Sequence, residues 1–190
     1  MLLEGFQGNK EMLKRVAAVL LIVISLSLQS CALATTGLKA YVNTYKGYEF
    51  LYPNGWVSAK VSNGPDVVFH DLIEETENVS VIISDVADNK TLEDLGSPTE
   101  VGYRLSKSAI APPDSGRTAE LVNAETRQDG DKTYYLLEYA VQLPNQLRHN
   151  LASVIVRRGQ LFTFNISTTE KRWEKVQDRF RHVATSFSVY

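Results

Sequence analysis

The first residues of the chain combine a basic pair with a short apolar run. Lys14 and Arg15 stand directly before the run, which extends from Val16 to Leu28 and is interrupted only by two serines. Its 13 residues fall short of the roughly 20 that a membrane-spanning helix requires. This arrangement is typical of a secretory signal, so we predict that residues 1–30 are a signal peptide that is removed.

The signal ends in a tetrapeptide, Leu28-Gln29-Ser30-Cys31, that resembles the lipobox of bacterial lipoproteins. In that motif a large aliphatic residue lies three positions before the cysteine, and a small residue directly before it lets the peptidase cut. Cys31 is the only cysteine of the chain. The alternative is an ordinary signal that leaves one unpaired cysteine, but a free thiol is a liability in an oxidising compartment. We therefore predict that Cys31 carries a lipid anchor that holds the protein on a membrane surface.

The remainder of the chain has the length of one domain. Because a single cysteine allows no disulfide within the chain, the domain must be held together by an apolar core. We predict a lipidated N-terminus and flexible tether over residues 31–40, and a folded domain over residues 41–190. Residues 31–190 carry 17 basic and 20 acidic side chains. This slightly negative balance gives no support for binding to nucleic acid.

Short runs of β-forming residues occupy the first half of the domain. Residues 48–52 are followed by Pro-Asn-Gly at 53–55, a turn cluster that separates them from a second run. Strands are predicted at residues 48–52, 56–61, 66–70 and 79–86. We expect these four strands to lie next to one another in a sheet.

Two later segments carry the turn residues of β-hairpins, Asp129-Gly130 and Arg158-Gly159. A two-residue loop of this kind needs positive φ angles, which glycine adopts without strain. The paired strands are predicted at residues 121–127 and 132–143 for the first hairpin, and at 151–157 and 160–167 for the second.

Two capping motifs predict the helices. Residues 97–100 read Ser-Pro-Thr-Glu, which combines a capping box with proline at the first helical position and predicts a helix towards residue 111. Residues 167–170 read Ser-Thr-Thr-Glu and predict a second helix. Its apolar residues recur at helical spacing on one face: Trp173, Val176, Phe180 and Val183. With a last strand at residues 187–190, the elements predict the α+β class, a central antiparallel β-sheet flanked by helices.

The common catalytic signatures are missing from the sequence. It contains no Gly-x-Ser-x-Gly elbow, phosphate loop, His-Glu-x-x-His or Cys-x-x-Cys motif. The acidic run of Glu74, Glu75 and Glu77 stands before a strand, where such a run is usually a solvated loop. We therefore predict that the protein is not an enzyme. A hydrolase is the least supported alternative, because no nucleophile with a positioned base can be named.

Three histidines are candidates for a site. His70, next to Asp71, could belong to a two-ligand metal site or to a polar strand end, and a late helical position such as that of His182 favours a cationic side chain. A two-residue loop at 158–159 would place His149 opposite Thr168 and close to Glu170. Two interpretations remain open: a surface histidine beside a capping carboxylate, or a site for partner docking or weak binding of a divalent cation.

The second helix carries a basic outer side. Its members are Lys171, Arg172, Lys175, Arg179 and Arg181. Such a side is usually solvated, but it could also contact anionic lipid or an acidic partner near the membrane.

Six segments, in their order and spacing, resemble landmarks of the PsbP family. They are residues 48–56 (Tyr-Glu-Phe-Leu-Tyr-Pro-Asn-Gly-Trp), 78–81 (Asn-Val-Ser-Val), 95–98 (Leu-Gly-Ser-Pro), 132–135 (Lys-Thr-Tyr-Tyr), 170–173 (Glu-Lys-Arg-Trp) and 184–189 (Ala-Thr-Ser-Phe-Ser-Val). The lipobox indicates the cyanobacterial branch, because plant members are soluble lumenal proteins with transit peptides. Plant members similarly place a histidine and an acidic residue at the positions of His149 and Glu170.

The resemblance implies a lipoprotein on the lumenal side of the thylakoid membrane, with an α-β-α sandwich similar to Mog1. Its partners would be lumenal photosystem II subunits, and it would act in assembly or support optimal water oxidation, without a required cofactor. The alternative is a carrier or buffer of manganese, calcium or zinc for the oxygen-evolving site. Where plant members have a long extension that helps to retain calcium and chloride, this chain has only the predicted tether.

Overall fold

The computed structural model describes residues 37–62, 64–87 and 89–190, together with Val16. The predicted signal peptide, apart from Val16, and Cys31 lie outside the described residues. Leu38–Tyr190 forms a compact unit. Within the described ranges, no helix combines the length and the apolar character needed to cross a membrane.

Ten strands lie within the described residues, and they form two antiparallel sheets. In chain order they are β1 (Leu38–Asn43), β2 (Tyr48–Pro53), β3 (Val57–Ala59), β4 (Val67–His70), β5 (Asn78–Asp85), β6 (Thr118–Asp129), β7 (Lys132–Gln142), β8 (Leu147–Arg157), β9 (Gln160–Thr169) and β10 (Ser188–Val189). The large sheet has the order β3-β4-β5-β9-β8-β7-β6, and the small sheet has the order β1-β2-β10. The fold is therefore α+β with a large antiparallel sheet, as predicted.

The small sheet corrects one prediction. Strands β3, β4 and β5 are neighbours, as expected, but β2 pairs with β1 and with the C-terminal strand β10 instead of joining them. The pairing of β2 with Ser188–Val189 joins distant parts of the chain, so no local pattern announces it. Strand β1 already begins at Leu38, so residues 38–40 of the predicted tether are paired with β2 in this sheet.

The two hairpins have loops of two residues, but only one loop lies where predicted. Arg157 pairs with Gln160, and the loop residues Arg158 and Gly159 both have positive φ, at 54° and 71°. In the first hairpin Asp129 pairs with Lys132, so the loop is residues 130–131 and not Asp129-Gly130. Gly130 is still the residue with positive φ, at 61°.

Helix α1 (Pro98–Leu105) begins with the predicted capping box. The Ser97 hydroxyl accepts a hydrogen bond from the Glu100 amide, and the Glu100 carboxylate accepts one from the Ser97 amide at 2.8 Å. A π-helical turn, Ser106–Ile110, continues α1 up to the two prolines. The helical segment therefore ends at Ile110, just before the prolines at 112 and 113, which have no backbone N–H to donate.

Helix α2 (Glu170–Thr185) corrects the second capping prediction. Its N-cap is Thr169, whose side chain makes no capping bond, while Ser167 and Thr168 are buried in strand β9. The motif fails as a capping box because cross-strand pairing with β8 continues to Thr169. The predicted apolar face is correct, since Phe180 and Val183 are buried and Trp173 and Val176 pack against the same core.

The large sheet separates two apolar clusters. One cluster joins Leu151 and Phe164 to the small sheet and to Phe180 of α2, and the other joins Ala152 and Val154 to α1. Side chains alternate between the faces of a strand. Strand β8 therefore directs His149 to the α2 face and its neighbours at 148 and 150 to the α1 face.

Candidate functional site

The structure brings His149 and Glu170 together. His149 pairs with Thr168 across strands β8 and β9, as the hairpin register predicted. Glu170 follows the end of β9 and opens α2, so its side chain returns over the sheet. The distance from His149 Nδ1 to Glu170 Oε2 is 3.0 Å. This edge of the α2 face is the candidate site.

A second carboxylate lies on the other edge of the imidazole. Glu138 of β7 projects to the same face of the sheet, and its Oε1 is 2.8 Å from His149 Nε2. Arg181, near the end of α2, donates from Nη2 to the other Glu138 oxygen at 2.5 Å. The Glu138 carboxylate thus lies between a histidine nitrogen and an arginine donor, which offsets part of the cost of burying it.

Trp173 covers the face of the histidine. The two rings are stacked with centroids 3.8 Å apart and an interplanar angle of 10°. The Arg181 guanidinium carbon lies 5.6 Å from the Trp173 ring centroid, within the range of a cation–π contact. We call Glu138, His149, Glu170, Trp173 and Arg181 the histidine cluster.

Burial excludes one of the two interpretations of this edge, that of a surface histidine beside a capping carboxylate. His149 is only 5% exposed, so it is not a surface histidine. Glu170 bonds to the His149 ring, and it completes no capping box. The side chain of Glu170 is 40% exposed, whereas that of Glu138 is 9% exposed. The cluster therefore has a buried half and a half that reaches solvent.

The geometry of the cluster limits its chemistry. Both ring nitrogens of His149 are within hydrogen-bond distance of a carboxylate oxygen, so neither is free to accept a proton from a substrate or to bind a metal ion. The two carboxylates approach opposite edges of the ring and do not converge on one point. Among the described residues, no group of three or more histidine, cysteine or acidic side chains is arranged to hold a metal ion. The arrangement is that of a fixed polar cluster.

A second ion-pair cluster adjoins the first through Thr168. The Thr168 hydroxyl donates to Glu77 at 2.6 Å, and Arg172 of α2 donates to the same oxygen at 2.6 Å. Glu77 is 1% exposed. The hydrogen bond to Glu77 raises the pKa of Arg172. Arg172 also lies 3.5 Å from Glu74, so it ties α2 to the loop between β4 and β5.

That loop is fixed by Asp71. The Asp71 carboxylate accepts hydrogen bonds from the Trp56 indole at 2.8 Å and from the amides of Ile73 and Glu74 at 2.7 and 2.9 Å. These donors, with the Glu74 amide first, lower the pKa of Asp71. His70 contacts the backbone oxygen of Asp71 at 3.0 Å, so the pair forms a polar strand end. The loop displays Leu72 and Ile73 to solvent, with Ile73 90% exposed.

The basic side of α2 is partly neutralised within the fold. Arg172 pairs with Glu77 and Glu74, and Arg181 pairs with Glu138. Lys171, Lys175 and Arg179 remain as exposed positions on this helix. The predicted basic surface is therefore narrower than the sequence indicates.

Sequence reasoning missed Glu138. It is the single charged residue in the strand segment Tyr-Tyr-Leu-Leu-Glu-Tyr-Ala-Val, residues 134–141. A charged residue in such an apolar strand is almost never buried without a partner, so its presence indicates a buried polar contact. The partner Arg181 could not be found in the same way, because its distance from Glu138 depends on how α2 packs.

The fold places the chain among α+β proteins built on one large antiparallel sheet. A family model described as PsbP matches residues 36–189. The chain belongs to the PsbP family, which confirms the resemblance carried by the six segments.

Relatives of known name support the same assignment. CyanoP of Thermosynechococcus vestitus is 52% identical over 184 residues, covering 94% of this chain and 100% of that protein. The chloroplastic PsbP-like protein 1 of Arabidopsis thaliana is 36% identical over 153 residues, covering 80% of this chain and 65% of that protein. The solution structure of cyanobacterial PsbP (CyanoP) from Synechocystis sp. PCC 6803 matches with a TM-score of 0.70 at 50% identity, covering 86% of this chain and 99% of that one.

Proposed function

We propose that this protein is a lipid-anchored accessory or assembly factor of photosystem II, held on the lumenal side of the thylakoid membrane and acting by protein docking. The observation that carries the proposal is the PsbP match over residues 36–189. The lipobox-like tetrapeptide ending in Cys31 supplies the predicted anchor.

The polar site supports binding in preference to catalysis. Both nitrogens of His149 are engaged by carboxylates, and its ring is covered by Trp173. A catalytic base needs a free nitrogen within reach of a substrate proton. Instead, the cluster fixes the start of α2 against the sheet and leaves the outer side of Glu170 available to a partner.

The surface next to this cluster has the composition of a docking site. Leu72 and Ile73 are exposed apolar side chains on a loop that Asp71 and Arg172 hold in place. Apolar side chains surrounded by charged groups are typical of protein interaction sites. A loop that is already ordered loses little conformational entropy on binding. We call Leu72, Ile73, Glu74, Glu170 and Arg172 the docking edge.

Affinity capture from detergent-solubilised thylakoid membranes tests the proposal. The tagged protein should recover photosystem II subunits in a stoichiometric amount. The double variant Leu72→Ser/Ile73→Ser should recover at least about tenfold less, because two apolar contacts at an interface centre are lost. Recovery of no photosystem II subunit by the lipidated wild-type protein would refute the proposed function.

A matched control separates docking from general surface effects. Val122 is also an exposed apolar residue, and it lies at the bulge in β6, the edge strand farthest from β3. The variant Val122→Ser should capture as much as the wild type. Equal losses in both variants would exclude the docking edge as the contact surface.

A further inference from the structure

A polar pocket lies on the opposite face of the large sheet from the histidine cluster. Its volume is about 420 Å³, within the range of small-molecule sites. Strands β5, β8 and β9 form its floor, and the π-helical turn after α1 lies at one side. The lining includes Asn78, Arg148, Asn150, Asn165 and Ser167.

Arg148 is the unusual member of this lining. It is only 7% exposed, although arginine is almost never buried without a partner. Its Nε and Nη2 donate to the Ser167 hydroxyl at 3.1 and 2.7 Å, and Nη2 also donates to the backbone oxygen of Thr76. These acceptors are neutral. No carboxylate of the described residues lies within ion-pair distance of its guanidinium.

The polar groups around Arg148 form a connected hydrogen-bond network. The Ser167 hydroxyl donates to the Asn150 side-chain oxygen at 2.7 Å, and Asn150 donates to Asn165 at 3.3 Å. This chain of hydrogen bonds fixes the amides at the pocket floor. A second cation, Arg117, is exposed and also lines the pocket. Burial first, and then the charge of Arg117, lower the pKa of Arg148.

Two cations with no acidic side chain in the lining make the pocket electrostatically favourable to an anion. The Nη1 group of Arg148 makes no hydrogen bond within the described residues, so its two N–H donors can bind a carboxylate or a phosphate. Amides and hydroxyls around it can bond to the remaining oxygens and hydroxyls of such a ligand. We propose that this pocket binds a small soluble molecule that carries a carboxylate or phosphate group, with Arg148 as the principal anion ligand and Arg117 as a contributor at the rim.

Titration calorimetry at constant ionic strength tests the site, with citrate and inorganic phosphate as probes and sorbitol as an uncharged comparison. We expect saturable binding of at least one anion and none of sorbitol. Arg148→Met should weaken that binding by about tenfold or more, because a charged hydrogen-bond donor is removed from a buried site. Arg117→Gln should weaken it by about threefold, as expected for an exposed charge.

Arg179→Gln is the matched control. Arg179 is an exposed arginine on α2, across the sheet from the pocket, so its loss should leave the affinity unchanged. Arg117 lies on the surface, so its variant remains informative if Arg148→Met fails to fold. No saturable anion binding, or an unchanged affinity in folded Arg148→Met, would overturn the proposal. If Arg148→Met does not fold, equal affinities in wild type and Arg117→Gln would overturn it. Binding only to phosphatidylglycerol vesicles, with no response to citrate or phosphate, would also overturn it and indicate a lipid headgroup.

Discussion

Glu138 lies 2.8 Å from His149, and both side chains are less than a tenth exposed. This contact joins strands β7 and β8 on the α2 face, and Arg181 extends it to the helix. A buried ion pair adds little net stability as a unit, but removal of one partner is costly because it leaves the other charge buried and unpaired. The packing of α2 on the sheet therefore depends on a polar contact as well as on the apolar face.

Removal of the Glu138 carboxylate should destabilise the fold. In Glu138→Ala, His149 and Arg181 lose their shared acceptor, and we expect the free energy of unfolding to fall by about 3 kcal/mol. Urea unfolding followed by circular dichroism measures the change. Glu174→Ala removes an exposed carboxylate of α2 and should change stability by no more than about 0.5 kcal/mol. Equal stability of the two variants would show that the buried contact contributes nothing.

Glu170 should contribute less to stability than Glu138. It contacts the same imidazole, but 40% of its side chain is exposed, so solvent weakens the interaction. We expect Glu170→Ala to cost about 1 kcal/mol or less, part of it from the lost interaction with the helix dipole. The same urea experiment measures it. An equal loss in the free energy of unfolding for Glu170→Ala and Glu138→Ala would contradict the expectation that the more exposed carboxylate contributes less.

Asp71 should make stability depend on acid pH. Its pKa in the folded state lies below the ordinary value of 3.8, chiefly because the Glu74 amide bonds to the ionised carboxylate. The resulting stabilisation is fully present above pH 3.8 and is lost as the pH falls through the lower folded-state value. Urea unfolding between about pH 5 and pH 2.5 should show a shallower loss of stability for Asp71→Asn than for the wild type.

An exposed aspartate is the control for this pH series. Asp131 lies in the β6–β7 turn and is exposed to solvent. Asp131→Asn should retain the wild-type slope of stability against pH. If Asp71→Asn retained that slope as well, the Asp71 hydrogen bonds would not account for any of the acid sensitivity.

Cys31 should determine whether the protein stays on the membrane. Two or more acyl chains hold a protein stably, whereas the domain without them has only its surface charges to retain it. Cys31→Ser should move the protein into the soluble fraction of washed membranes. Ser30→Ala keeps a small residue before the cleavage point and should stay membrane-bound. Retention on washed membranes of a Cys31→Ser protein from which residues 1–30 have been removed would contradict lipid attachment at this position.

Local patterns predicted most elements of the large sheet and both helices. The Arg158-Gly159 loop fixed the register that places His149 beside Glu170. Pairing over long distances was not predictable: β1 has no continuous apolar run, and β2 joins β10 from the other end of the chain. The second capping box failed for a related reason, because Ser167 bonds to Arg148 across the sheet instead of capping α2.

Only part of the candidate site could be predicted from the sequence. His149 and Glu170 could be placed together from hairpin register, which depends on local turn chemistry. Glu138, Trp173 and Arg181 complete the cluster only once α2 is packed on the sheet. That docking is decided by the apolar core, and no spacing along the chain encodes the resulting distances.

Cross-linking of intact thylakoid membranes tests the docking account most directly. Lys171 and Lys175 are exposed on α2, the helix that carries Glu170 and Arg172 of the docking edge. Lys107 is exposed on the opposite side of the large sheet. A lysine-specific reagent followed by mass spectrometry should join Lys171 or Lys175 to lumenal photosystem II subunits more often than Lys107. Links to these subunits from Lys107 alone, or no links to photosystem II from any lysine, would contradict the account.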